Sequence, residues 1–406
     1  MDRMKKGTLM VIIFCFNIYF SSAQVPINSA EMKMMEDTVH GQTTVGGYGD
    51  AYYQRNNNEE VSRLNLERFV LFVGHKFDKK FSFFSELEVE DAKVSGGEEG
   101  GEIALEQCFI QYNLNPSHYF KFGLFIPQIG LLNQNHLPQN YYGNERNTVE
   151  QLLIPATWRE LGITFIGSFS KIPLTYSFAL LNGLNSASFE HGSGIRGGRF
   201  EGRNASGNNL AFNAACEYSY EKFKFQLSGY YGGSVGLSSK DADSLRIDGG
   251  FLGTPVAIAE ANIRYSGKKF LAKALFASVT IPNAASINRV YENNTAYRTY
   301  GGYLEIAYQL CQSKDSTSYS QFFGFVRYEK LNLNAELPNN GISDPTLNQQ
   351  YFVVGLSYLP IHNLVFKADV KFRTTDTPNP GLFDAQYSTD YKKRNSFINI
   401  GLGYSF

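Results

Sequence analysis

Charged residues recur at every second position in several stretches of this 406-residue chain. Glu86, Glu88 and Glu90 form one such ladder, and Lys367, Asp369, Lys371 and Arg373 form another. Glu217, Lys224, Glu260, Arg264, Glu305 and Arg327 stand in the same alternating pattern within apolar stretches. A spacing of two places side chains on one face of an extended strand. Rows of charge on such faces line aqueous passages and set their ion preference. Bond-making chemistry is not suggested. The six histidines (His40, His75, His118, His136, His191 and His362) pair with no Ser, Asp or Cys motif. No His/Cys/Asp cluster has metal-ligand spacing, so neither an enzyme nor a cofactor or metal centre is expected.

The elements behind these ladders read as strands. Sixteen runs alternate apolar with polar or small residues: 44–55, 61–77, 80–91, 102–114, 117–126, 159–169, 172–183, 209–220, 222–232, 255–266, 269–280, 299–311, 319–330, 349–359, 362–374 and 393–406. Most are long enough for a tilted membrane strand of about 9–11 residues. Every second connection is tiny, as at Asp78-Lys79, Asn115-Pro116, Glu221 and Gly267-Lys268, with 312–318 the longest of that set. The others are long and rich in Gly, Asn and charge: 92–101, 127–158, 184–208, 233–254, 281–298, 331–348 and 375–392. Short turns at one end and long loops at the other describe an outer-membrane β-barrel. An even strand count returns both termini to the short-turn side. The polar faces carry the charge, while Leu174/Tyr176/Phe178/Leu180 and Phe352/Val354/Leu356/Tyr358 face the other way. Glu67-Arg68 breaks the rule by placing a charge on each face, which a bulge or an interfacial position would accommodate.

Composition narrows the class further. Charged residues are only 18% and aromatics 15%, with 33 Phe, 26 Tyr and 38 Gly. No apolar run after the N-terminus approaches the 20 or so residues of a helical span, and a net charge of −1 offers nucleic acid no footprint. Arg3, Lys5 and Lys6, then Leu9 to Phe20, then Ser21-Ser22-Ala23, read as a cleaved signal peptide over 1–23. Its removal takes three of 37 basic and one of 38 acidic residues, leaving 34 and 37 and a net charge of −3. Residues 24–43 are expected to be a short periplasmic segment and 44–406 the barrel. Cys108, Cys216 and Cys311 are odd in number and far apart, and are expected to be small packing residues, not disulfides.

The final strand carries its own signature. Ile398, Ile400, Leu402, Tyr404 and Phe406 alternate with Asn399, Gly401, Gly403 and Ser405. This pattern resembles the C-terminal signal by which the barrel-assembly machinery recognises its clients, with Leu402, Tyr404 and Phe406 as the assembly residues.

A sixteen-stranded barrel leaves a water-filled lumen. The longest connection, 127–158, is rich in Asn, Gln, Pro and Tyr and is expected to fold inward as a constriction, the alternative being a lid over the rim. Within it and at its exit, Asn144, Glu145, Arg146, Glu150, Arg159 and Glu160 are the candidate constriction residues. The lumen candidates are Glu86, Glu88, Glu217, Lys224, Arg264, Glu305, Arg327, Lys367, Lys371 and Arg373, read either as opposed acidic and basic walls or as scattered hydrated charges. In the loop 192–204, Arg196, Arg199 and Arg203 form a surface cluster that either attracts anionic solutes or lipopolysaccharide phosphates or is simply solvated.

The stretch Gly101-Glu102-Ile103-Ala104-Leu105-Glu106-Gln107, with Phe122-Gly123-Leu124, Pro127 and Gly130, resembles a segment of porin-like proteins of Bacteroidota. Asn144-Glu145-Arg146, Val149-Glu150 and Ile154-Pro155-Ala156-Thr157-Trp158-Arg159-Glu160-Leu161-Gly162 resemble the same family, which is similar to the phosphate-selective porins O and P. The resemblance implies passive diffusion of small hydrophilic solutes or ions across the outer membrane, and a homotrimer. Phosphate selectivity does not carry over with it. Arg146 is offset by Glu145 and Glu150 in the loop, and the near-zero net charge supplies no cationic excess. The alternative is a non-conducting barrel that serves as scaffold or adhesion component of a surface complex. Outer-membrane lipids, lipopolysaccharide and the barrel-assembly machinery are the expected partners, with no nucleic acid among them.

Overall fold

The computed structural model describes residues 41–90, 103–313, 320–379 and 392–406. The leader, residues 24–40 and the loop 92–101 lie outside the described residues. Sixteen antiparallel strands close into one barrel, each bonded to its neighbours in sequence and β1 to β16. The first eight are β1 (Gln42–Asn56), β2 (Val61–Lys76), β3 (Phe81–Glu90), β4 (Ile103–Asn115), β5 (His118–Phe125), β6 (Glu160–Ser168), β7 (Leu174–Asn182) and β8 (Leu210–Tyr220). The second eight are β9 (Phe223–Gly232), β10 (Val256–Ser266), β11 (Phe270–Thr280), β12 (Arg298–Gln312), β13 (Gln321–Glu336), β14 (Asn348–Ile361), β15 (Leu364–Thr375) and β16 (Arg394–Ser405).

All sixteen expected strands are present, with ends within two residues except at one place. β13 runs on to Glu336, six residues past the expected end, because Leu331 and Leu333 keep the period and bury inward. Long loops gather at one rim, with one departure: β1 and β2 are joined there by the four residues 57–60.

The alternation sorts the faces as the sequence implies. Phe178, Leu227, Phe352 and Leu356 are exposed on the outer surface, which is the apolar belt a bilayer covers. Cys216 and Cys311 are exposed and free, not packed in a core. Cys216 shares the outward face of β8 with Phe212 and Tyr218.

Two bulges turn extra charge inward. Asp50 pairs with Arg68 but Ala51 pairs with Leu66, so Glu67 is the additional residue and the Glu67-Arg68 conflict is resolved. Likewise Glu86 pairs with Gln107 and Leu87 with Leu105, leaving Glu106 as the extra residue. Glu106 and Gln107 are consequently both buried on the lumen side.

At the seam, the C-terminal aromatics lie over glycines of β1. A Cβ on Gly47 would come within 2.8 Å of Phe406 Cζ, and one on Gly49 within 2.7 Å of the Tyr404 hydroxyl. Phe406 N donates to Gly47 O at 2.8 Å, and Leu402 pairs with Ala51.

Candidate pore and constriction loop

The connection 127–158 enters the lumen and crosses it. It leaves β5 against β8 and β9, where Asn213 Nδ2 donates to Gln128 O and Gln226 Nε2 to Gly130 O, each at 3.2 Å. Its far turn sits on β16, eight strands away and therefore across the barrel. There Gln139 Nε2 donates to Asn363 O and Ser405 Oγ, both at 3.0 Å. The inward glycines of β16 make room for it. A Cβ on Gly403 would lie 2.3 Å from Pro138 Cβ, and one on Gly401 2.3 Å from Asn144 Oδ1.

The chain then returns along the wall strand by strand. Asn144 donates through N and Nδ2 to Asp369 Oδ2 at 2.8 and 2.7 Å. Lys367 Nζ donates to Gly143 O at 2.9 Å and lies 3.7 Å over the Tyr141 ring. Ser357 Oγ donates to Tyr142 O, Arg327 Nη2 to Glu145 O, and Thr148 N to Glu329 Oε2. Asn147 caps the short helix Thr148–Leu152 by accepting from Glu150 N at 2.8 Å. Glu150 braces the loop's two limbs, since its Oε2 accepts from Leu131 N and Leu132 N at 2.6 and 2.7 Å. Its Oε1 accepts from Tyr303 OH of β12 and from Asn147 Nδ2. Trp158, fully buried, packs 4.8 Å from the Tyr230 ring and donates to Glu160 Oε1 at 3.1 Å.

Among the described residues the loop runs inside the barrel, where it shields many of the inward-facing charges from water. Lining side chains of a wide pore would meet water, yet Glu86, Glu88, Glu305, Glu329, Arg327 and Lys367 are all buried. The loop occupies the space that would have hydrated them. Water reaches the lumen charges unevenly on its two sides. Toward the short turns the Lys224 side chain is 44% exposed, with Arg264 and Lys273 half-buried. Toward the long loops, Glu67 and Glu145 retain partial exposure.

The charges form local clusters, not two facing walls. Glu217 bonds Lys224 at 3.2 Å and also contacts Arg264 on the next strand. Glu305 bonds Lys273 at 2.9 Å and Arg327 at 3.2 Å, and Arg327 reaches Glu329 at 2.7 Å. Register explains the pairing, because Lys273 and Arg327 lie directly opposite Glu305 on its two neighbours. Glu88 faces Arg68, which bonds Asp50 at 3.0 Å. Lys371 pairs with Glu145 of the loop, and Arg373 lies 5.9 Å over the Phe397 ring.

The arginine loop 192–204 is not a free surface cluster. Arg196 Nη1 donates to Gln151 O and Ala156 O, and Arg199 Nη1 to Pro155 O and Thr157 O. Both hold the base of the constriction loop. Glu201 pairs with Arg159 at 3.3 Å and Arg199 at 2.9 Å, while Arg203 alone of the three is exposed.

One grouping has no trace in sequence spacing. Glu86 of β3, Glu106 of β4 and His136 of the loop bring their ligand atoms within 4.8 Å of one another, all buried. Only the Glu106 bulge and the loop's inward path unite them. A break in the alternation at Glu106-Gln107, two polar residues together, was the only available signal.

No protein-family model matches the chain. A protein of Aquifex aeolicus (strain VF5), described as uncharacterised, is 28% identical over 334 residues, covering 80% of this chain and 74% of its own length. Among solved structures, the outer-membrane channel DcaP of Acinetobacter baumannii superposes with a TM-score of 0.57 at 11% identity, over 91% of this chain and 99% of that one. The anion-selective porin from Comamonas acidovorans gives 0.54 at 10% identity, over 90% and 100%. OmpT of Vibrio cholerae, in trimer form, gives 0.52 at 11%, over 91% and 100%. These likenesses are of fold. A closed sixteen-stranded barrel with an exposed apolar belt is a porin-like barrel of the bacterial outer membrane.

Proposed function

We propose that this barrel is a non-enzymatic porin for passive diffusion of small hydrophilic solutes or ions, with 127–158 as its constriction. The loop's passage from β8 and β9 to β16 and back along β15 to β12 carries the reading. A scaffold that works through its external loops has no use for a charged segment threaded across its lumen. Hydrated charge on both sides of the loop supports the same reading, since solutes would meet Lys224 and Arg264 at one mouth and Glu145 and Lys371 at the other.

The resemblance to Bacteroidota porins of the phosphate-selective type supports this class but not its selectivity. Lys224, Arg264, Lys273, Arg327 and Lys371 each have a carboxylate partner and Lys367 a carbonyl one, so weak charge preference is the expectation. A cleaved leader over 1–23, a periplasmic segment over 24–43, delivery by the barrel-assembly machinery, contact with lipopolysaccharide and a trimeric assembly belong to the same proposal.

Planar-bilayer recording tests it, on the intact mature chain and on a variant with 132–145 replaced by a short Gly-Ser linker. The expected result is small unitary currents from the first and larger ones from the second. Silence from both, with the barrels shown to be folded, would overturn the proposal. Reversal potentials under KCl and phosphate gradients then read charge preference, and neutralising Lys367, Lys371 and Arg373 is expected to move it toward cations.

A further inference from the structure

We propose that Glu86, Glu106 and His136 form a binding site for one divalent transition-metal ion, zinc-class in its ligand chemistry, that clips the constriction loop to the barrel wall. One imidazole nitrogen and two carboxylate oxygens make the mixed N/O donor set such ions take. His136 is 1% exposed, and its Nε2 stands 3.8 Å from Glu106 Oε2, beyond hydrogen-bond reach. That nitrogen has no hydrogen-bond partner, and neither does Glu106 Oε1, although both are buried. Buried polar atoms without partners are uncommon and costly. Here they belong to residues that bring ligand atoms within 4.8 Å of one another. A tetrahedral ion with bonds of about 2.0–2.2 Å spaces its ligands about 3.5 Å apart, so small side-chain rotations complete the set.

The surroundings are arranged as an outer shell. Gln107 Nε2 donates to Glu86 Oε2 at 2.6 Å, and Tyr48 OH donates to Glu106 Oε2 at 3.0 Å, fixing both carboxylates. Around them, Arg68 is bonded to Asp50 and faces Glu88, and Arg146 donates to His136 O.

The site exists only with the loop inside. Its two carboxylates belong to the wall and its imidazole to the loop, so bound metal holds 127–158 across the lumen. That consequence for permeation rests on the porin reading, whereas binding itself does not. The direct experiment loads the EDTA-treated, detergent-folded mature barrel with Zn2+, removes excess, and counts retained ion by mass spectrometry alongside a calorimetric titration. One ion per barrel is expected, with affinity falling about tenfold or more in His136→Gln and in Glu106→Gln, the scale on which even outer-shell partners act. Heat-modifiability on gels establishes that the variants remain folded. No stoichiometric ion in the intact barrel would overturn the site, as would binding indifferent to both substitutions. In bilayers, Zn2+ is expected to lower the current of the intact chain and not that of His136→Gln. Binding without any current from either protein upholds the site and overturns the porin reading.

Discussion

Glu150 shows how a residue legible by type took a role that spacing does not reveal. Its place in the longest loop marked it as pore-lining charge, but its two oxygens are spent on four donors, three of them within the loop itself. Glu150→Ala leaves the Leu131 and Leu132 amides and the Tyr303 hydroxyl buried without acceptors. At about 1–3 kcal/mol for each orphaned group, the loop is expected to lose several kcal/mol of local stability while the barrel stays intact. Limited proteolysis of folded protein reads this directly: cleavage within 127–158 should accelerate in the variant, and unchanged protection would show that the brace is dispensable. At the outer rim, Asp344 offers a pH test. Partial burial pushes its carboxyl up, but Thr346 and His191 hydrogen-bond to it and hold it below the usual range. A depressed carboxylate stabilises above its unfolded pKa and loses that contribution as pH falls through the folded value. Protection of the Thr346 and Leu347 amides, in the turn that Asp344 caps, should therefore fall below about pH 4 when exchange is referred to its intrinsic rate at each pH. Asp344→Asn should exchange quickly throughout.

At the scale of elements, the strands were readable because the membrane enforces period two: a charge on the lipid face costs about 2–4 kcal/mol at mid-depth. That penalty acts locally, residue by residue, and so writes itself into the sequence. Bulges and loop paths carry no such local rule. Glu67 announced its bulge by breaking the alternation, whereas Glu106 did so only through an adjacent polar pair. The route of 127–158 depends on partners hundreds of positions away, such as Asp369 and Ser405, and on the room left at Gly401 and Gly403. Gly401 and Gly403 alternate with the apolar residues of the last strand, and nothing in that pattern marks them as a dock. Filling the dock tests the loop's placement without touching the loop. Gly403→Leu should displace Pro138 from β16 and raise unitary conductance several-fold, approaching the loop-shortened variant. Conductance equal to the unmodified chain would mean that the far turn is held elsewhere.

The closure of the whole molecule depends on β1 and β16, the strands most distant in sequence, so this seam forms last in any sequential assembly and carries the full cost of joining chain ends. Under the assembly reading proposed above, the terminal aromatics have two separable duties there: Phe406 serves recognition, and as a side chain lying over Gly47 it fills the seam. Gly47→Val separates the two, since it leaves the signal untouched. Its Cβ would stand 2.4 Å from Val70 O and 2.8 Å from Phe406 Cζ, forcing the backbone or the ring aside. Overpacking of this kind costs about 1–3 kcal/mol, enough to shift a marginal closure. Refolding into detergent without any machinery should then show less heat-modifiable barrel for Gly47→Val than for the unmodified chain. Phe406→Ala, by contrast, creates space where the valine variant crowds it, and should refold in detergent better than Gly47→Val while still failing to reach the membrane in cells. Equal refolding of all three proteins would assign the aromatic to recognition alone, and failure of Phe406→Ala in detergent as complete as that of Gly47→Val would assign it to the seam.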